Sequence, residues 1–149
     1  MKRLVIFGIG QIGDVAHYMF SEDSPYEVVG FTVDASHCDR DSHIGLPVVP
    51  FEDLTRRYPP EEHWLFVAMG YGKINALREA KVAEGSALGY RLASYTSSRA
   101  WVWKGFEVQP NTMIMEHNTI QPYVSIGQNS TLWSGNHIGH HTRIGANVF

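Results

Sequence analysis

The stretch Ile114-Met115-Glu116-His117-Asn118-Thr119-Ile120-Gln121-Pro122-Tyr123-Val124-Ser125-Ile126, with its continuation to Ile144, carries an aliphatic residue at every sixth position. Val102 and Val108 keep the same beat upstream, and Leu132 and Ile138 keep it downstream. Helical side chains recur near every 3.6 residues and strand side chains at every second residue, so neither element explains the spacing. A triangular β-coil does. If each hexad forms one flat face and one corner, three hexads close a turn, and each aliphatic residue stacks on its counterpart eighteen residues later. The residues four places on (Thr112, Asn118, Val124, Ser130, Asn136, Thr142, Val148) are small or polar apart from the valines, which suits a second, tighter inward position. Phe106 is the one large side chain in that series, and Gly127, Gly139 and Gly145 sharpen the repeat. Irregular sandwich loops would let such spacing drift. Trp101, Trp103 and Trp133 alternate with the inward positions and are predicted to face outward.

Composition narrows the setting. The chain of 149 residues is 44% hydrophobic, enough for one domain or two small ones. Its net charge is −3 and no Lys/Arg cluster stands out, which argues against nucleic acid or an anionic membrane as a partner. Cys38 is the single cysteine, so no internal disulfide forms and a reducing cytoplasm fits. Lys2 and Arg3 precede apolar residues as in a signal peptide, but Gly8, Gly10, Gly13 and Asp14 interrupt the run too early. No stretch approaches the ~20 apolar residues of a membrane span.

The first half reads as alternating strands and helices. Leu4 to Phe7 forms a compact strand that ends in Gly8-Ile9-Gly10-Gln11-Ile12-Gly13, and Asp14 to Phe20 follows as helix. Strand, glycine turn and helix form the context of a dinucleotide fingerprint, in which backbone amides approach a pyrophosphate at a helix N-terminus. The same pattern also serves as a tight strand-to-helix turn, so a purely architectural role stays open. Glu27 to Val33 is a second strand ending at Asp34, where an acidic side chain meets a ribose hydroxyl in such folds. Pro47 to Val49 is a short strand, Glu52 to Arg57 a short helix, and Trp64 to Met69 a core strand closing on Gly70-Tyr71-Gly72. Lys73 to Glu84 is predicted as an amphipathic helix facing inward through Ile74, Leu77 and Ala80 or Lys81, and Tyr90 to Tyr95 as a last strand. This alternation predicts a small parallel sheet flanked by helices, Rossmann-like, over residues 1–97. Ser94 to Ala100 is the expected hinge into the coil, residues 98–149. Gly8, Gly10, Gly13, Asp34 and Gly70 are the candidate substrate contacts of this half.

Val67-Ala68-Met69-Gly70-Tyr71-Gly72-Lys73-Ile74-Asn75, together with Ile120-Gln121-Pro122 and Leu132 through His141, resembles the sugar acyltransferases of the sialic acid O-acetyltransferase (NeuD) family, and the likeness covers the whole chain. The resemblance implies a left-handed parallel β-helix as the second domain, although parallel crossovers in general are right-handed. It also implies acetyl transfer from acetyl-CoA to a hydroxyl or amine of a sugar, often nucleotide-linked, in cell-surface glycan synthesis. Members associate as trimers with the active site between neighbouring coils.

Carried over by position, the general base falls on His140. Two places after the inward Ile138, it is expected to point outward near a corner, where a neutral imidazole can accept the proton of an attacking hydroxyl or amine. Two departures stand out. Relatives often carry a carboxylate directly after the base, where this chain has His141, the remaining candidate partner. Their first glycine loop often holds an assisting His where this chain has Ile12. His137 and His141 read equally as surface histidines of a repeat, and His17, His37, His43, His63 and His117 as solvated. A metal site at His137, His140 and His141 is disfavoured, because residues straddling a corner diverge and no Cys or carboxylate lies close in sequence.

Asn147-Val148-Phe149 stops one hexad after Ile144 without a cap, so the coil is expected to be cut short. The resemblance places most of the acetyl-CoA groove in further coils, which predicts a base without a complete donor site and leaves the activity of these 149 residues open. Two other functions compete: a nucleotide-sugar-binding module that its coil merely trimerises, and a nicotinamide-dependent oxidoreductase built on the glycine loop. Against the oxidoreductase, residues 1–97 are short for a dinucleotide domain with a hydride-acceptor site and show no clear acid/base pair.

Overall fold

A computed structural model describes every residue of the chain except residue 74. Ile74, predicted to lie on the inner face of a helix, is therefore outside the described residues. The first half contains β1 (Lys2–Phe7), α1 (Gln11–Glu22), β2 (Tyr26–Val33), β3 (Ser42–His43), β4 (Leu46–Pro50), α2 (Leu54–Arg57), β5 (His63–Val67), α3 (Ala76–Ala87) and β6 (Arg91–Leu92). The strand order is β3-β4-β2-β1-β5-β6, parallel throughout except for the antiparallel edge pair of β3 with β4. Leu4 through Phe7 are buried in succession because helices cover both faces of the sheet. Leu4 and Ile6 pack with Ala16 and Phe20 of α1, whereas Val5 and Phe7 pack with Val82 of α3.

Helix α3 departs from its predicted register. It starts at Ala76 rather than Lys73, after Asn75 takes a left-handed φ of 67°. Its buried face is Arg78, Lys81, Val82 and Gly85, and Leu77 is exposed. Charged residues can occupy that face because each is partnered. Lys81 Nζ donates to Asp34 at 2.7 Å and to Glu84 at 2.8 Å, and the Arg78 guanidinium donates to oxygens of the coil. The predicted helix from Glu52 is realised as a single 3₁₀ turn, Phe51–Asp53, running into the short α2.

The second half winds as predicted from the six-residue period. Strands β7 (Tyr95–Thr96), β8 (Trp101–Val102), β9 (Met113–Ile114), β10 (Thr119–Ile120), β11 (Ser125–Ile126), β12 (Thr131–Leu132), β13 (His137–Ile138) and β14 (Arg143–Ile144) form three narrow parallel sheets, β7-β9-β12, β8-β10-β13 and β11-β14. Every pairing joins residues eighteen apart, for example Thr119 with His137 and Ser125 with Arg143. This register defines a short parallel β-helix. Ile114, Ile120, Ile126 and Leu132 form its buried axis, with Thr112, Asn118, Val124 and Ser130 buried at the second inward positions. Ile138 and Ile144, stacked on one side only, are half-buried.

Val108, Trp103 and the segment from Tyr90 to Ala100 depart from the expected pattern. Val108 is exposed and lies outside any strand, while Phe106 and Trp103 pack against the interior of that coil. Two bulky rings displace one aliphatic residue, and the indole N–H of Trp103 donates to the Val124 carbonyl at 3.3 Å. Trp101 and Trp133 are exposed, as the alternation requires. Ser94 to Ala100 is not a free hinge, since Tyr95 and Thr96 pair with Met113 and Ile114 as the first rung. The predicted strand Tyr90 to Tyr95 accordingly splits between the flat sheet and the coil.

Polar side chains lock the two halves together: the Asn111 side chain pairs with the backbone of Val67, and Asn75 Nδ2 donates to the Asn147 carbonyl at 2.7 Å. At one corner of the coil Asn111, Asn129 and Asn147 all adopt left-handed backbone angles, with φ of 53°, 57° and 60°. Their amides form a ladder, Asn111 Nδ2 to Asn129 Oδ1 at 3.0 Å and Asn129 Nδ2 to Asn147 Oδ1 at 2.8 Å. Among the described residues no helix is long and apolar enough to cross a membrane.

Candidate active site at a corner of the coil

The turn Gly139-His140-His141-Thr142 joins β13 to β14 and stands directly above Gln121-Pro122-Tyr123-Val124, the same corner one coil earlier. Ile138 turns toward the axis and His140 emerges into solvent. His141 adopts φ 63°, and its backbone N–H donates to the Pro122 carbonyl at 3.1 Å. That bond fixes the corner. The His141 ring lies 4.9 Å from the Tyr123 ring, which lies 5.4 Å from Trp103. Across the turn the Nδ1 atoms of His140 and His141 are 3.0 Å apart. His137 sits on the preceding face, in one column with Thr119 and Trp101.

An open groove of ≈620 Å³ follows this corner, lined in part by Trp103, Ser125, Gly127, Arg143 and Gly145. It lies where the first coil lacks its third strand. Arg143 is exposed and brings a guanidinium to the rim. Among the described residues, no group of three His, Cys, Asp or Glu side chains has the geometry to hold a metal ion.

The glycine loop divides into structural and open positions. A β-carbon on Gly8, whose φ is 122°, would overlap the Ala68 carbonyl oxygen, and one on Gly13 would overlap the Gly8 carbonyl oxygen. These two glycines allow β1, the loop after β5 and the start of α1 to approach closely. Gly10 and Gly70 have open space where a β-carbon would stand. Gly10 precedes α1 with no side-chain cap, so the first amides of the helix receive no capping side chain from that residue.

Asp34, at the end of β2, borders a cavity of ≈400 Å³ that includes Phe7, Val33, Met69, Leu77 and Lys81. It lies at the carboxyl ends of β1, β2 and β5, where open α/β sheets receive ligands. Burial alone would lower the pKa of Lys81, but the hydrogen bonds and charges of Asp34 and Glu84 outweigh it and hold the ammonium above its ordinary value. Asp34 therefore faces the cavity already engaged by a cation. Lys81 is the inward one of the two positions, Ala80 or Lys81, that helical spacing allowed; its spacing of three from Glu84 signalled one of its partners, and nothing local signalled Asp34.

Three histidines predicted to be solvated are not. His63 is buried and its Nδ1 lies 2.9 Å from the Pro59 carbonyl oxygen. His43 comes from β3 to place Nε2 2.6 Å from Asp14 Oδ1, with its ring edge-on to Phe31. His17 packs on the same Phe31; burial and then the neighbouring His43 lower its pKa, against the pull of Asp14. The hairpin of β3 with β4 brings His43 to α1 across 29 residues, which no local pattern could reveal. Ile12, half-buried in the first turn of α1, packs against the core.

No protein-family profile matches the chain, and no curated protein matches it significantly in sequence. Solved structures do match its fold. The acetyltransferase domain of PglB from Neisseria gonorrhoeae superposes with a TM-score of 0.82 at 21% identity, covering 99% of this chain and 69% of that one. PerB from Caulobacter crescentus, in complex with CoA and GDP-perosamine, gives 0.78 at 21% identity, covering 99% and 67%. WeeI from Acinetobacter baumannii gives 0.77 at 15% identity, covering 97% and 67%. The chain thus has the fold of structures that include an acetyltransferase domain and a protein bound to CoA and a nucleotide sugar.

Proposed function

We propose that the chain is an acetyl-CoA-dependent sugar acetyltransferase with His140 as its general base, acting on an amine or hydroxyl of a nucleotide-linked sugar in glycan synthesis. The observation that carries this reading is an outward imidazole at a corner of a β-helix that shares its fold with a protein bound to CoA and GDP-perosamine. In this reading residues 1–97 are a Rossmann-like domain that receives the nucleotide sugar, with Gly10, Gly70 and Asp34 facing it. Residues 98–149 are a left-handed β-helix that packs as a homotrimer in the cytoplasm, so that His140 meets substrate at a seam between coils.

The open groove beside the corner would receive part of a long phosphate-bearing thioester, with Arg143 supplying a cation at its rim and Glu107 the opposite charge. His140 Nε2 accepts the proton of the acceptor as its nitrogen or oxygen adds to the thioester carbonyl carbon. Collapse of the adduct breaks the carbon–sulfur bond, and the same proton passes from His140 to the departing sulfur. The acetyl group ends on the sugar and free CoA is released.

The test is acetyl transfer from acetyl-CoA to a panel of nucleotide-linked amino sugars by the purified gene product and its His140→Ala variant. Loss of about 10²–10⁴ in turnover on removing the imidazole is expected. Nucleotide-sugar binding without any transfer would instead leave a non-catalytic binding module.

A further inference from the structure

The geometry points to His141 as a positioning residue that sets the tautomer of His140, a role that rests on the acetyl-transfer reading above. The two Nδ1 atoms are 3.0 Å apart and the rings are nearly perpendicular, at 87°. A neutral imidazole carries one N–H and one lone pair, so across this contact one ring donates and the other accepts. If His141 donates, His140 keeps its proton on Nε2 and has no lone pair there for substrate. If His140 donates from Nδ1, its Nε2 is free to accept a proton and His141 carries its own proton on Nε2. Only the second arrangement makes a base of the outward nitrogen.

The second arrangement also gains strength during reaction. When Nε2 of His140 takes the acceptor's proton, the ring becomes an imidazolium and its Nδ1–H bond to His141 becomes charge-assisted. The contact is thus stronger in the transition state than before it, the condition for raising turnover rather than binding. A neutral imidazole fills the orienting place that a carboxylate would otherwise occupy.

The backbone holds His141 ready for this role. Its φ of 63° is a left-handed conformation that most residues with a β-carbon avoid, though Asn, Asp and His adopt it more readily, as His117 does at φ 61° elsewhere in the coil. Another corner obeys that preference with Asn111, Asn129 and Asn147. The corner of Tyr123 and His141 instead carries two rings in left-handed positions, packed against each other at a tilt of 36° and continued by Trp103. Turn chemistry accommodates the histidine but does not call for the tyrosine beneath it. That packing limits where the His141 ring can swing, and the Pro122 carbonyl anchors its backbone.

His141→Gly relaxes the left-handed backbone and removes the acceptor, whereas His141→Glu restores one. Turnover of the glycine variant is expected to fall about 10–100-fold, as for other orienting partners of functional imidazoles, with KM for both substrates within about twofold. The glutamate variant is expected to recover most of it. A purely structural His141 predicts the reverse, an unimpaired glycine variant, and that result would overturn the assignment. Nitrogen-15 NMR of the imidazoles reads the same point without turnover: His140 is expected as the Nδ1–H tautomer in the unmodified protein and to shift toward Nε2–H in His141→Gly. An Nε2–H His140 in the unmodified protein refutes the role of His141 even if acetyl transfer occurs. The expected tautomer without acetyl transfer refutes the acetyltransferase reading and leaves the pairing standing.

Discussion

Asn111 and Val67 make a reciprocal pair across the two halves of the molecule: Asn111 Oδ1 accepts the Val67 N–H at 2.7 Å, and Asn111 Nδ2 donates to the Val67 carbonyl at 3.1 Å. A side-chain amide thereby continues the hydrogen-bonding edge of β5 into a corner of the coil. Removing it orphans two buried backbone groups, and alanine must also hold the left-handed φ of 53°. Asn111→Ala is expected to cost about 2–4 kcal/mol in urea unfolding. The Asn129→Ala change should be non-additive with it, because the two amides share one ladder.

Arg78 offers a different kind of lock. Its guanidinium, 2% exposed, donates to the carbonyls of Asn129 and Val148 and to the Thr131 hydroxyl, with no carboxylate among these partners. Burial lowers its pKa, yet an arginine stays charged at neutral pH. Arg78→Met strips buried carbonyls of their donors and is expected to destabilise by about 2–4 kcal/mol. Arg78→Lys, whose single nitrogen cannot serve both carbonyls and also replace the second guanidinium nitrogen on the Thr131 hydroxyl, should recover less than half of the loss in thermal or chemical unfolding.

The glycine loop gives a contrast between neighbours. Gly8→Ala and Gly13→Ala put a methyl group onto backbone oxygens that cannot move aside cheaply, and each is expected to destabilise by at least about 2 kcal/mol. Gly10→Ala has open space and should stay within about 0.5 kcal/mol of the parent. Any weakening of nucleotide-sugar binding by Gly10→Ala at unchanged stability, read by calorimetry, would place a ligand at that opening.

Asp23 predicts a sensitivity to acid. The backbone N–H of Ser98 donates to its carboxylate at 2.9 Å and the Tyr95 hydroxyl at 2.8 Å, tying the end of α1 to the first rung of the coil. The Ser98 hydrogen bond is the main cause that holds its pKa below the ordinary value, against a smaller effect of burial. A carboxylate depressed in the folded state contributes stability above its unfolded pKa and loses it as pH falls through the folded one. Asp23→Asn should therefore lower stability at neutral pH and flatten the decline of stability below about pH 4. Parallel declines for both proteins would remove Asp23 from the acid response.

The path from sequence to structure was clear where the physics is local and repetitive. Ile114, Ile120, Ile126 and Leu132 announced the coil because one backbone repeat forces one side-chain repeat. The run Leu4 to Phe7 announced a strand buried on both faces. Val108 escaped the rule because its coil is filled instead by Phe106 and Trp103, a choice made by volume rather than period. Arg78 escaped, and Lys81 was legible only as an alternative to Ala80, because polarity places charged residues outside until their partners are known. Asp34 and Glu84, and the carbonyls of Asn129 and Val148, become partners only after the chain has folded.

The candidate site divides in the same way. His140 could be placed outward from its distance to Ile138 alone, since strand geometry fixes the direction of successive side chains. Its contact with His141, and the packing of His141 against Tyr123, depend on a left-handed corner that repeats eighteen residues apart. The His43–Asp14 pair and the Asn111–Val67 pair depend on chain segments distant in sequence. The amino-acid order alone determined the winding of the coil, because its aliphatic period has one economical solution. Tertiary structure decided which charges could be buried, which glycines were structural and which imidazole faced which, because each depends on close approach between distant groups that local spacing does not encode.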